Sequence, residues 1–216
     1  MIRGVRRSKH IRWVTVASAF AATIVMSAAC SSSQGGTAAS STSTPTSTSA
    51  GTPPFPTLTM PNLQPPKQQN QNRPDVAFDP CTWIDDNTVS KLGYGPKSRK
   101  RGTDIHAEYT FLTCDFQSPD QVYDLSILSG NRTLDEGRQK STADGGRIED
   151  TTIAGRAAMI VRGDTTDTCD VVLQTNAGYV DFLRTIATYK INGPTPEQCS
   201  GMVNLVNGIV PRIGSN

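Results

Sequence analysis

The sequence predicts an α+β fold: helices packed on a largely antiparallel sheet, held by two disulfides and preceded by a disordered tether. Three observations carry this prediction. Helix signals open, interrupt and close a series of strand signals after Val76, an order that suits helices set against an antiparallel sheet. Four cysteines, Cys81, Cys114, Cys169 and Cys199, lie in that same stretch, and an even count in an exported chain argues for two disulfides. Ahead of it, Ser, Thr and Pro supply 24 of the 44 residues from Ser31 to Pro74, too little apolar surface to offset the entropy of ordering.

Residues 1–29 have the layout of a signal peptide. Arg3, Arg6, Arg7, Lys9 and Arg12 form a basic opening without an acidic residue, and Trp13 to Ala29 then runs uncharged for 17 residues. A membrane-spanning helix needs about 20 apolar residues, and this run is rich in Ala, Thr and Ser and ends in small residues suited to cleavage. Arg6-Arg7 lacks the following apolar residues of a twin-arginine signal and is ordinary opening charge. Ser27-Ala28-Ala29-Cys30 resembles the bacterial lipobox, which implies that Cys30 receives diacylglycerol on its thiol, takes palmitate-type acyl chains and becomes the new N-terminus. Two or more chains hold a protein stably on a membrane, at about 0.8 kcal/mol per buried methylene. Residues 30–75 are then the tether, holding residues 76–216 off the extracytoplasmic face of the cell membrane.

Removing the signal reverses the electrostatics. Five of the 21 basic residues precede Cys30 and none of the 19 acidic ones does, so the chain from Cys30 onward carries a formal charge of −3. Nucleic-acid binding, which rests on clustered Lys and Arg, loses its support. The one basic run, Lys97 to Arg101, is expected as a solvated loop.

Each element of the folded domain has a local signal. Asp79 is a cap with Pro80 in the first turn behind it, Asp85 or Asp86 caps a second turn, and Gly93 is suited to end it, with Trp83, Ile84, Val89 and Leu92 toward the core. Tyr109 to Phe116 and Val122 to Leu128 are strands joined across Ser118-Pro119-Asp120. Thr133 and Glu136 form a capping box for a polar helix ending near Asp144. Strands follow around Ile148 to Ile153, Ala157 to Arg162, Cys169 to Thr175 and Tyr179 to Thr188. A last helix is capped at Thr195, where Pro196 and Gln198 follow, and Cys199, Met202, Val206 and Ile209 recur along its buried face. Elements adjacent in sequence are usually adjacent in space, which selects Cys81–Cys114 and Cys169–Cys199 among the three possible pairings.

The stretches "FDPCTWIDDNTVSKLG", "IAGRAAMIV" and "CDVVLQTNAGYVDFLRT" leading to "PEQCSGMVNLVNGIV" resemble an actinobacterial lipoprotein family known only as a domain of unknown function, with a D-P-C motif at its start. The resemblance covers Phe78 to Ile213. It implies an envelope lipoprotein with two disulfides and brings no catalytic residue.

No other pattern assembles chemistry. The only histidine after Cys30 is His106, in a Gly- and Asp-bearing loop, and there is no nucleophile elbow. "GDTTDTCD", Gly163 to Asp170, gathers three carboxylates without the ligand spacing of a calcium loop and is expected as a polar hairpin loop; no metal or other cofactor is expected. Asp85-Asp86 and Glu149-Asp150 are expected as caps and strand ends, and Tyr94, Tyr109 and Phe116 as candidate ligand-facing aromatics of which at least two belong to the core. The resulting expectation is a non-catalytic, lipid-anchored binding or interaction module whose partner is an envelope protein, a glycan or a lipid. The alternatives are a carrier of a lipid-like apolar ligand and an envelope enzyme of unrecognised type.

Overall fold

The computed structural model describes residues 58–214; the signal segment and Cys30 lie outside them. Asp79 accepts a hydrogen bond from the Cys81 N–H and so starts α1 (Pro80–Trp83), with Pro80 at the position where no N–H is needed. Asp85 caps α2 (Asp86–Lys91) through the Thr88 N–H, and Gly93, at φ +86°, takes the left-handed conformation just beyond it. Two short strands, β1 (Lys100–Arg101) and β2 (Ile105–His106), lie along β3 (Thr110–Gln117), which turns back into β4 (Tyr123–Gly130). The Thr133–Glu136 capping box opens α3 (Leu134–Ala143). Two hairpin-linked pairs follow, β5 (Arg147–Ile153) with β6 (Arg156–Arg162) and β7 (Thr168–Gln174) with β8 (Tyr179–Ile186). The chain ends in α4 (Met202–Ile213).

All strand pairs are antiparallel, in the order β1-β3-β4-β8-β7-β6-β5, with β2 beside β1 on β3. The main core lies on one face of this sheet. Cys114, Phe116, Leu125, Ile127, Val171, Leu173, Val180 and Phe182 meet Phe78, Ile84 and Val89 there, together with Met202, Val206, Ile209 and Ile213 of α4. Disulfide Cys81–Cys114 ties α1 to β3, and Cys169–Cys199 ties β7 to the turn before α4. Each closes a loop of about 30 residues, worth roughly 3–4 kcal/mol on chain-entropy grounds. The opposite face carries a smaller cluster, Phe111, Met159, Val161, Val172 and Tyr179, under α3. Among the described residues no helix is long and apolar enough to cross a membrane.

Three local expectations change. The ordered chain begins at least as early as Leu58, inside the segment expected as tether: Leu63 is fully buried in the main core, the Leu58 N–H donates to the Thr82 carbonyl, and Arg73 makes a two-pronged pair with Glu136. Polar composition hid this, because one buried leucine and side-chain hydrogen bonds fix the segment rather than a run of apolar residues. The basic run is no solvated loop either. Arg99 is buried over the Phe116 ring, donates to the Cys81 carbonyl and pairs with Asp86 at 2.7 Å. Arg101 pairs with Asp79 at 2.6 Å and with Asp104 at 3.3 Å, and donates from Nε to the Leu63 carbonyl. Finally, α4 starts at Met202 rather than at Thr195. Gly201 stands at φ +77°, which a helix interior cannot contain, and the preceding residues form a turn in which Glu197 accepts the Cys199 N–H.

Leu63→Ala is expected to cost about 2–5 kcal/mol in denaturant unfolding, the range for emptying a buried leucine site; an unchanged midpoint would return the segment to the tether.

Candidate functional site

The α3 face contains a cleft of about 350 Å³. Its floor is strand: Leu128 of β4, Tyr179, Asp181 and Leu183 of β8, Asp170 and Val172 of β7. Gly137, Lys140 and Ser141 of α3, with Asp144 at its C-cap, form one wall, and Ile105, Tyr109, Phe111 and Arg132 the other. Two glycines shape it. A Cβ at Gly137 would stand 3.0 Å from the Tyr179 ring, so the missing side chain lets α3 settle close to the sheet. A Cβ at Gly130 would fall inside the Phe111 ring, which lies flat across that strand position.

The aromatic wall is continuous. Tyr109 and Phe111 meet edge to face at 5.8 Å, and Phe111 and Tyr179 lie 5.4 Å apart. The Arg132 guanidinium sits 4.9 Å over the Tyr109 ring, and its Nε is buried without a hydrogen-bond partner.

The floor holds two carboxylates in apolar surroundings. Asp181 faces Val172 across the β7–β8 ladder and Asp170 faces Leu183, so the two are diagonal neighbours on one face, a separation of about 7–8 Å for such pairs. Burial pushes the Asp170 carboxyl up to about 6, and Lys140 only partly offsets this. Asp181 is pushed well above the carboxylate range, by burial first and by the charge of Asp170 second. Its Oδ1 is buried and accepts no hydrogen bond. Lys140, the cation nearest by charge effect, spends its ammonium on Asp144 at the exposed rim, 2.5 Å away. Two residues that line the same small cleft, Asp181 and Arg132, thus each hold a buried polar atom without a partner, a need a polar ligand could meet.

Most of the residues singled out in the sequence fall elsewhere. His106 is exposed on β2; its neighbour Ile105 lines the cleft. Asp170 is the last residue of the acidic Gly163–Asp170 stretch, and it leaves the loop to enter β7. Among the described residues no three His, Cys, Asp or Glu side chains group closely enough to hold a metal ion. Asp85 caps α2, while Glu149 pairs with Arg162 and Asp150 with Arg138. Of the three aromatics, Tyr94 and Phe116 are buried and Tyr109 lines the cleft. Asp170 and Asp181 had a legible signal: each interrupts a strand where its same-face neighbours, Val172 in one case and Tyr179 and Leu183 in the other, are apolar.

A family model described as a protein of unknown function (DUF3558) matches residues 25–212. No curated protein and no solved structure matches the chain.

Both cleft carboxyls have raised values, so the folded chain holds their protons more tightly than the unfolded chain does. Their ionisation subtracts stability as pH rises from about 4 through about 6, and the loss is complete only above the folded values. Asp181→Asn is expected to raise the thermal midpoint at pH 7.5 by roughly 2–4 °C, about 1 kcal/mol for a domain of this size, and to change it little at pH 4. A gain of the same size at both pH values would mean that Asp181 titrates normally.

Proposed function

Since the chain belongs to the DUF3558 family of proteins of unknown function, we propose that it is a lipid-anchored, non-catalytic binding module of the cell envelope, attached to the extracytoplasmic face of the membrane through Cys30 and holding its ligand in the α3 cleft. The lipobox-like run into Cys30 supports the anchor. Two disulfides support an oxidising compartment outside the cytoplasm.

One observation carries the binding role: the unbonded, buried Oδ1 of Asp181 at the bottom of an aromatic-walled cleft. Natural sequences keep such a destabilising group where a ligand completes it. The cleft volume is at the lower end for small-molecule sites. Its carboxylates disfavour an acyl chain, which weighs against the apolar carrier. A small polar molecule that offers an amine or hydroxyl to Asp181 and an acceptor to Arg132, such as a glycan unit or a lipid headgroup, meets both needs.

Cys30→Ala, expressed in the native host, is expected to move the protein from the membrane to the soluble fraction and to remove the acyl mass. Unchanged partitioning and mass would overturn the anchor. Native mass spectrometry of the wild-type chain from the same host is expected to retain a small adduct that Asp181→Asn loses at least tenfold. An adduct of equal intensity in both, or none in either, would overturn the binding role.

A further inference from the structure

On the opposite face of the sheet the same strand presents a second buried side chain with an unbonded polar atom. Strand alternation puts Arg184 of β8 on the face away from Asp181, beside Cys169 of β7 and Leu125 of β4. It is 8 % exposed. One guanidinium nitrogen donates to the Gln198 carbonyl and the group lies 5.3 Å over the Tyr123 ring, but Nε is buried without a partner. Among the described residues no carboxylate forms an ion pair with Arg184. The nearby Gln198 side chain is 6 % exposed, and its amide nitrogen is likewise unbonded.

Arg184 lines an open groove of about 810 Å³ between the end of α2, the β3–β4 turn and the start of α4. Gly201, Asn204 and Leu205 line the same groove. Gly201 stands at the N-cap position and brings no side chain to cap the first turn of this 12-residue helix, so its positive end meets the groove uncapped. Lys91 adds a cation from α2. The one carboxylate in the lining, Asp120, is already engaged by the Ser118 hydroxyl and the Val122 N–H, which hold its pKa down.

We infer that this groove is an anion-binding site in which Arg184 and the first turn of α4 receive a phosphate or carboxylate group, with Lys91 at its rim. A buried guanidinium that no ion pair neutralises, with the Glu197 carboxylate acting on it only through longer-range charge, is costly to keep, and a helix N-terminus adds positive potential beside it. The chain from Cys30 onward is net negative, so the preference is local to this groove. A purely structural Arg184, stapling the turn through the Gln198 carbonyl, would use one nitrogen and leave Nε and the uncapped helix end idle.

The test is an NMR titration of the full chain in detergent with inorganic phosphate, acetate and the short-chain, water-soluble phospholipid dihexanoyl-phosphatidylglycerol. Saturable shifts of the Gly201, Asn204 and Leu205 amides and of the Arg184 Nε–H are expected with phosphate. Arg184→Gln is expected to weaken binding at least tenfold. Lys91→Glu, at an exposed position that leaves the fold intact, is expected to weaken it about three- to tenfold and covers the case in which Arg184→Gln does not fold. Saturation ten times tighter for the phospholipid than for phosphate assigns the anion to a lipid headgroup; equal or weaker saturation assigns it to a free phosphate or, if acetate is tightest, a carboxylate. Shifts that never saturate, or that Lys91→Glu leaves unchanged, would overturn the site.

Discussion

The alternation of side chains along β8 is the constraint on which the rest of this structure depends. This strand is paired on both edges, with β4 and with β7, so its register is fixed from two sides. A one-residue slip would exchange its faces. Val180 and Phe182 go into the main core, while Tyr179, Asp181 and Leu183 go to the α3 side. The core, the cleft floor and the groove are thus settled by one choice of register.

The energetics of the two faces differ in kind. The face toward α1, α2 and α4 is closed by large apolar side chains and by both disulfides, and its loop anchors are charged groups used structurally. Arg101 illustrates the point: it joins Asp79 at the start of α1, Asp104 in the following loop and the Leu63 carbonyl in a segment that looks unstructured by composition. Such a node is strong only while all its partners are present, since losing one leaves a buried charge uncompensated. The α3 face is less tightly sealed. Gly137 is the buried residue of a mostly polar helix, and the space beside it is lined by carboxylates that burial keeps protonated more readily than usual. Stability concentrated on one face gives the other freedom to carry groups that do not stabilise the fold.

The charges proposed to bind ligands are ones that lack an ion pair. Many charged side chains of the described domain are held in ion pairs: Arg73 with Glu136, Arg99 with Asp86, Arg162 with Glu149 and Glu197. Arg73 pulls Glu136 down to about 2, the mark of a carboxylate fully used by the fold. Asp181 and Arg184 show the reverse, each buried with an idle atom and each lining a cavity on its own side of the sheet.

Much of the fold was written locally. Asp79, Asp85 and the Thr133–Glu136 box each state a helix start through a side chain that bonds the backbone two or three residues on, and strand periodicity is likewise a short-range pattern. Cysteine pairing followed from the order of those elements. Long-range partnership was not legible. Nothing near Leu63 announces a core position, nothing in Lys97 to Arg101 tells that Arg99 and Arg101 turn inward, and Gly201 delays α4 because a turn conformation overrides the capping residues before it. The candidate site divides the same way. That Asp170 and Asp181 interrupt apolar strand faces is visible in the sequence, whereas their placement together, beside Arg132 and under α3, needed the β7–β8 register and the packing of a helix some 40 residues away in the chain. Local backbone chemistry fixes elements; only tertiary packing decides which charges are paired and which are left facing a cleft.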